Sequence, residues 1–169
     1  MSEVEKAIEV EVPVSTAYNQ WTQFESFPEF MEGVEAVTQV DDKTLHWKSK
    51  IGGKEEEWDA VITDQEPDRR IAWRSLAGPM NAGDVRFEPA DGGSRTRVSL
   101  HMVYQPEGIV ETVGAAVGVV DRRVQGDLER FKNFIEERGG ETGAWRGEIH
   151  EPAREGADNP ERGKEESRP

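Results

Sequence analysis

The feature that most limits how this chain can fold is a change in the period of its apolar residues near residue 106. From Val34 to Tyr104 apolar and polar side chains alternate, the pattern of strands with one buried face. Polar or Gly-containing turns interrupt the alternation at Asp41-Asp42-Lys43, Gly52-Gly53, Glu66-Pro67-Asp68, Gly78-Pro79 and Asp91-Gly92-Gly93. Connections this short make the strands antiparallel. After Pro106-Glu107-Gly108 the spacing changes to three and four, and Ile109, Val113, Val117, Val120, Val124, Leu128, Phe131 and Ile135 form the stripe of one long amphipathic helix. Arg138-Gly139-Gly140 ends it, because glycine takes the left-handed conformation of a helix C-terminus. Gly114, Gly118 and Gly126 weaken the helix interior, and a kink or break is expected near 114–118.

Within the strands the alternation assigns one face to Leu45, Trp47, Ser49, Ile51, Trp58, Ala60, Ile62, Ile71, Trp73, Ser75, Val85, Phe87, Val98, Leu100, Met102 and Tyr104. The other face takes His46, Lys48, Glu55, Glu57, Asp59, Arg74, Arg86, Arg97, Ser99 and His101. A further strand opens the chain, with the even positions from Val4 to Val12 mostly apolar, and Pro13 ends it. A short helix follows near Ser15, with Ala17, Tyr18 and Trp21 at helical spacing. A second helical turn is expected at Ser26-Phe27-Pro28-Glu29, where Ser26 and Glu29 have capping-box spacing. The fold class is therefore α+β: a curved antiparallel sheet wrapped around a long C-terminal helix, with two short helices after strand one. So many twisted strands must curl around a single helix, and curling leaves a concavity.

Composition narrows the function. The chain carries 35 acidic and 21 basic residues, a formal charge of −14, which disfavours nucleic acid and polybasic membrane docking. It has no cysteine, which removes disulfides, thiolate chemistry and Cys-type metal sites and makes the cytoplasm the expected compartment. The acidic, alternating start is unlike a signal peptide, and no run is long enough to span a membrane. From Glu151 to Pro169 the only apolar side chains besides proline are Ala153 and Ala157, so this segment is expected to be a disordered polar tail behind a domain of residues 1–150. The tail is net −2 and leaves −12 on the body. Between helix and tail lies an extension after about residue 139 that contains Trp145, expected to pack back on the body or to contact a partner of an otherwise monomeric protein.

The segments Val12-Pro13-Val14-Ser15-Thr16-Ala17-Tyr18 with Trp21, and Phe24-Glu25-Ser26-Phe27-Pro28-Glu29-Phe30-Met31, resemble a known family. So do Ile71-Ala72-Trp73-Arg74, Val85-Arg86-Phe87, Arg95-Thr96-Arg97-Val98 and Asp127-Leu128-Glu129-Arg130-Phe131-Lys132. They are similar to the SRPBCC, or START, superfamily with the helix-grip fold, and most of all to its bacterial polyketide cyclase/dehydrase and coenzyme Q-binding-like branch. The resemblance covers roughly Glu3 to Arg138. It implies that a small hydrophobic molecule is bound or transformed between sheet and helix.

The candidate lining of such a cavity is Tyr18, Trp47, Ser49, Trp58, Trp73, Ser75, Phe87, Leu100, Met102, Tyr104, Val117, Val120 and Val124. Aromatics with a few polar groups suit a ligand pocket, but large rings also fill a wide core. Both readings stand at this point, as do carriage of a lipid, quinone or polyketide-like ligand, cyclase or dehydrase activity, and a ligand-free interaction domain. Catalytic residues are not identifiable: His46 and His101 fall on the outer face and His150 at the tail junction. Their separation gives no metal-ligand spacing, and no cofactor motif is present.

Overall fold

The computed structural model describes residues 2–51, 53–77, 80–105 and 113–150. Strand β1 (Ser2–Val10) leads into helix α1 (Val14–Trp21) and a 3-10 helix at Phe24–Glu29. Strands β2 (Val34–Gln39), β3 (Thr44–Ile51), β4 (Lys54–Glu66), β5 (Arg70–Ala77), β6 (Asn81–Ala90) and β7 (Arg95–Tyr104) come next, then helix α2 (Val113–Arg138) and a short β8 (Ile149–His150). The sheet order is β1-β7-β6-β5-β4-β3-β2, with every described pairing antiparallel and β8 added to the end of β4. This is the curled sheet and long helix expected from the change of period.

The expected faces are largely realised. Val4, Val10, Leu45, Ala60, Ile62, Ile71, Val85, Phe87 and Val98 are buried beneath α2, which contributes Val124, Leu128, Phe131 and Ile135 from its stripe. The described part of α2 runs as one helix from Val113, without the break expected near 114–118. The expected start at Ile109, the side chain of Val117 and the tail from Glu151 to Pro169 lie outside the described residues.

One local expectation fails, and one strand carries an irregularity. The capping box at Ser26 and Glu29 does not form: the 3-10 helix starts earlier, at Phe24, and has no side-chain cap. The Glu25 carboxylate instead accepts from the Gln39 backbone N–H at 3.0 Å, tying the turn to β2. In β4 the register against β5 shifts between Ile62 and Asp64, and this bulge exchanges the faces of the last residues of the strand. Gln65 turns inward and is 1% exposed, while its neighbours Asp64 and Glu66 share the outer face.

The segment after α2 is an ordered strap across α1. The Thr142 N–H donates to Gln20 Oε1 at 2.8 Å, the Gln20 amide donates to Thr142 Oγ1, and the Trp145 N–H donates to Thr22 Oγ1. Arg146 bonds Asn19 Oδ1, pairs with Asp68 at 2.8 Å and lies over the Tyr18 ring. Ile149 then enters the core. Trp145 packs back on the body, half-buried, and this strap explains why α1 and the residue that follows it bury three polar side chains, Asn19, Gln20 and Thr22.

Candidate functional site

The inner face of the sheet has two unlike ends. At one, Trp21, Phe24, Phe27, Phe30, Phe87 and Phe131 interlock, with ring centroids 4.9 Å apart for Trp21 and Phe131 and 5.2 Å for Phe30 and Phe131. Tyr18 joins this cluster edge-on to Phe87, fully buried, and its hydroxyl accepts from the Gln65 amide. Burial pushes the Tyr18 phenol up from its ordinary pKa. Of the candidate lining residues, Tyr18, Phe87 and Val124 are buried in the core cluster, as is Tyr104. Rings under a single helix fill space best by meeting edge to face, and at this end they do.

At the other end the large inner-face residues are only half-buried: Trp47, Trp58, Trp73, Leu100, Met102 and Val120. The pairing registers set Ile62, Trp73, Gly83, Met102 and Val4 in one row across five strands. Gly83 leaves a gap in that row between Trp73 and Met102. A Cβ there would run into the His101 carbonyl and the Met102 Cα, so β6 and β7 approach closely at this point. Trp47 and Trp58 stack across β3 and β4 with centroids 5.8 Å apart, and the Trp73 indole donates to Asn81 Oδ1 at 2.9 Å. Of the two serines, Ser49 is buried, and Ser75 accepts the Asn81 N–H within its hairpin. Glu56 lies opposite Ser49 in the unbroken β3–β4 register.

Tyr104 sits at the edge of this open end, in register with Asn81 and Ser2. Its ring is buried, and its hydroxyl is buried without a hydrogen bond of good geometry. Burial, and secondarily the charge of Asp121, raise its pKa, although the nearby Ser2 hydroxyl opposes the shift. The phenol is therefore a neutral donor, and no group among the described residues is well placed to receive its proton. Asp121 of α2 itself pairs with Lys6 of β1 at 2.9 Å. This sheet-to-helix pair was not anticipated, although Lys6 is the one charged side chain among the apolar even positions of β1.

The histidines lie outside the core, each between carboxylates. His46 contacts Asp59 at 2.7 Å and Glu57 at 2.8 Å, His101 contacts Glu3, and His150 contacts Asp64 and Glu148. These contacts raise all three pKa values. A separate open groove of about 670 Å3 runs beside the strap between Gln23, Glu25, Asp41, Asp42, Thr142 and Trp145. Its lining is mostly polar, unlike the inner face.

Residues 10–132 match the polyketide cyclase / dehydrase and lipid transport family. The chain belongs to this family. An uncharacterised 17.2 kDa protein of Streptomyces lincolnensis is 53% identical over 150 residues, covering 88% of this chain and 99% of that protein. Among solved structures, a Streptomyces aromatase/cyclase superposes with a TM-score of 0.67 at 19% identity, over 85% of this chain and 99% of that one. A START superfamily protein from Mycobacterium smegmatis gives 0.65 at 14% identity, over 80% and 98%. The fold is thus the START-like helix grip. The family match ends at residue 132, before the strap begins. Among the described residues no helix is long and apolar enough to cross a membrane.

Proposed function

We propose that this family member binds a small hydrophobic molecule bearing a carbonyl or hydroxyl oxygen, such as a lipid, quinone or polyketide-like ring system, between the open end of the sheet and α2. The observation that carries the reading is the Tyr104 hydroxyl, buried yet without a good partner among the described residues, beside an apolar face whose large residues are only half-buried. A buried donor left unpaired costs about 1–3 kcal/mol, a cost that a ligand oxygen would remove. Apolar burial against Trp47, Trp58, Trp73, Leu100 and Met102 would supply affinity at about 25 cal/mol per Å2. Val120 would close the space from the helix. The packed ring cluster at the other end would act as a floor.

Conversion of a polyketide-type substrate is the second reading, favoured by the same hydroxyl: a phenol kept protonated can polarise a carbonyl. Thermal midpoints measured with fatty acids, quinones and aromatic polyketides test binding. At least one should raise the midpoint, and Tyr104→Phe should weaken that ligand about tenfold while leaving the free protein at least as stable as before, since it removes the unpaired hydroxyl. If none of the three classes moves the midpoint, the binding reading fails. Product analysis with the polyketide separates carriage from conversion.

A further inference from the structure

We propose that Asp64, Glu66 and His150 form a site for a divalent transition-metal ion of the zinc type that pins the C-terminal strap to the sheet. The site is on the outer face, apart from the proposed ligand cavity, and does not rest on it. Three features of the fold create it. The bulge in β4 turns Asp64 and Glu66 outward together, two residues apart on one strand. The strap then delivers β8, whose pairing sets His150 directly across from Asp64. One ligand atom from each of the three side chains lies within 4.8 Å of the others, close enough for small rotamer changes to converge on one ion.

The atoms around the cluster are disposed as metal sites require. A ligating histidine is commonly oriented through its second ring nitrogen by a carboxylate, and a ligating carboxylate is itself hydrogen-bonded. Here His150 directs Nδ1 at Asp64 Oδ1, 2.9 Å away, while Glu148 holds its Nε2 at 3.2 Å. Asp64 uses its other oxygen, Oδ2, to accept from Arg70 at 2.8 Å, which leaves Oδ1 for the cluster. Arg70 is shared with Asp84, so its charge is not spent on Asp64 alone. Among the described residues the Glu66 side chain is held by a 3.6 Å contact to the exposed Arg69, weak enough to let it swing toward the cluster. One imidazole and two carboxylates suit zinc and its first-row neighbours better than magnesium or calcium, which favour all-oxygen shells. Water would fill the remaining positions, as expected for a half-exposed site. The ion would join residues more than eighty positions apart and lock a strap that lies beyond the family match.

The test uses the full-length protein with zinc chloride, with magnesium chloride at equal concentration, and with a chelator added last. Zinc at about a hundred times its dissociation constant should raise the thermal midpoint by about 5–10 °C, reversibly, while magnesium should not. His150→Ala and Glu66→Gln should each abolish the zinc shift, and His46→Ala should keep it. Nitrogen NMR of the histidine rings should show zinc perturbing His150 and leaving His46 and His101 unchanged. An unshifted wild-type midpoint, an equal effect of magnesium, or a zinc shift that survives His150→Ala would each overturn the proposal.

Discussion

The contrast between the two ends of the inner face can be tested by paired truncations, Phe131→Ala at the packed end and Met102→Ala at the open end. Phe131 is fully buried and meets Trp21 and Phe30 at 4.9 and 5.2 Å. Removing a ring from such a site costs about 3–5 kcal/mol, because neighbours already locked edge to face cannot collapse into the space. At about 2–4 °C per kcal/mol for a chain of this size, the midpoint should fall by roughly 6–20 °C. Met102 is half-buried next to Gly83 and packs on the core with only part of its surface, so it has fewer contacts to lose. Its truncation should cost about 1–2 kcal/mol, well below the usual range for a fully buried methionine. Urea unfolding with an unchanged slope measures both losses, and displacement of a bound hydrophobic fluorophore measures affinity. The expected pattern is crossed: Phe131→Ala loses much stability and keeps binding, whereas Met102→Ala loses far less stability and loses binding. Equal destabilisation by the two variants would mean that the open end is ordinary core, and the argument for a ligand there would be refuted.

Three further outcomes are expected. Thr22→Val removes a 2% exposed hydroxyl that accepts from the Trp145 N–H and from Gln23, and should cost about 1–3 kcal/mol; amide exchange at Trp145 should accelerate, and unchanged exchange would show that the strap is held elsewhere. His46 has its pKa raised above the ordinary 6.5 by hydrogen bonds to Asp59 and then Glu57. Its stabilisation is therefore fully present below that value and lost as pH rises through the folded-state pKa, so wild type should lose its small advantage over His46→Gln on going from about pH 6 to about pH 8. Gly83→Ala should cost about 1–3 kcal/mol by forcing β6 from β7 at the His101 carbonyl, and a neutral effect in urea unfolding would show that the close approach can relax.

Much of this molecule could be read from periodicity, because face assignment in a strand or helix depends only on spacing. Leu45, Ile62, Val85 and Val98 point inward for that reason, as do Leu128, Phe131 and Ile135 on the helix stripe. Alternation does not carry past the β4 bulge, where one extra residue turns Gln65 inward in place of Asp64 without any mark in the local sequence. Candidate site residues were harder to place. Periodicity put Trp73, Met102, Phe87 and Val124 on inner surfaces, but it could not divide them between a packed end and an open one. That division depends on where α1 and the 3-10 helix deliver their rings, a property of position in space.

The sequence alone determined the architecture, since a period of two followed by a period near 3.6 leaves one aromatic sheet face and one helical stripe to bury each other. It also placed His46 and His101 on the outer face, away from the apolar inner one. Only the tertiary structure decided what Asn19, Gln20 and Thr22 are for, because their partners in the strap lie more than 120 residues away. It alone left the Tyr104 hydroxyl without a good partner and brought His150 across from Asp64. Spacing along a chain is a local quantity, whereas a site is made by atoms that approach through space, and here the bulge, the strap and the filled end of the core control that approach.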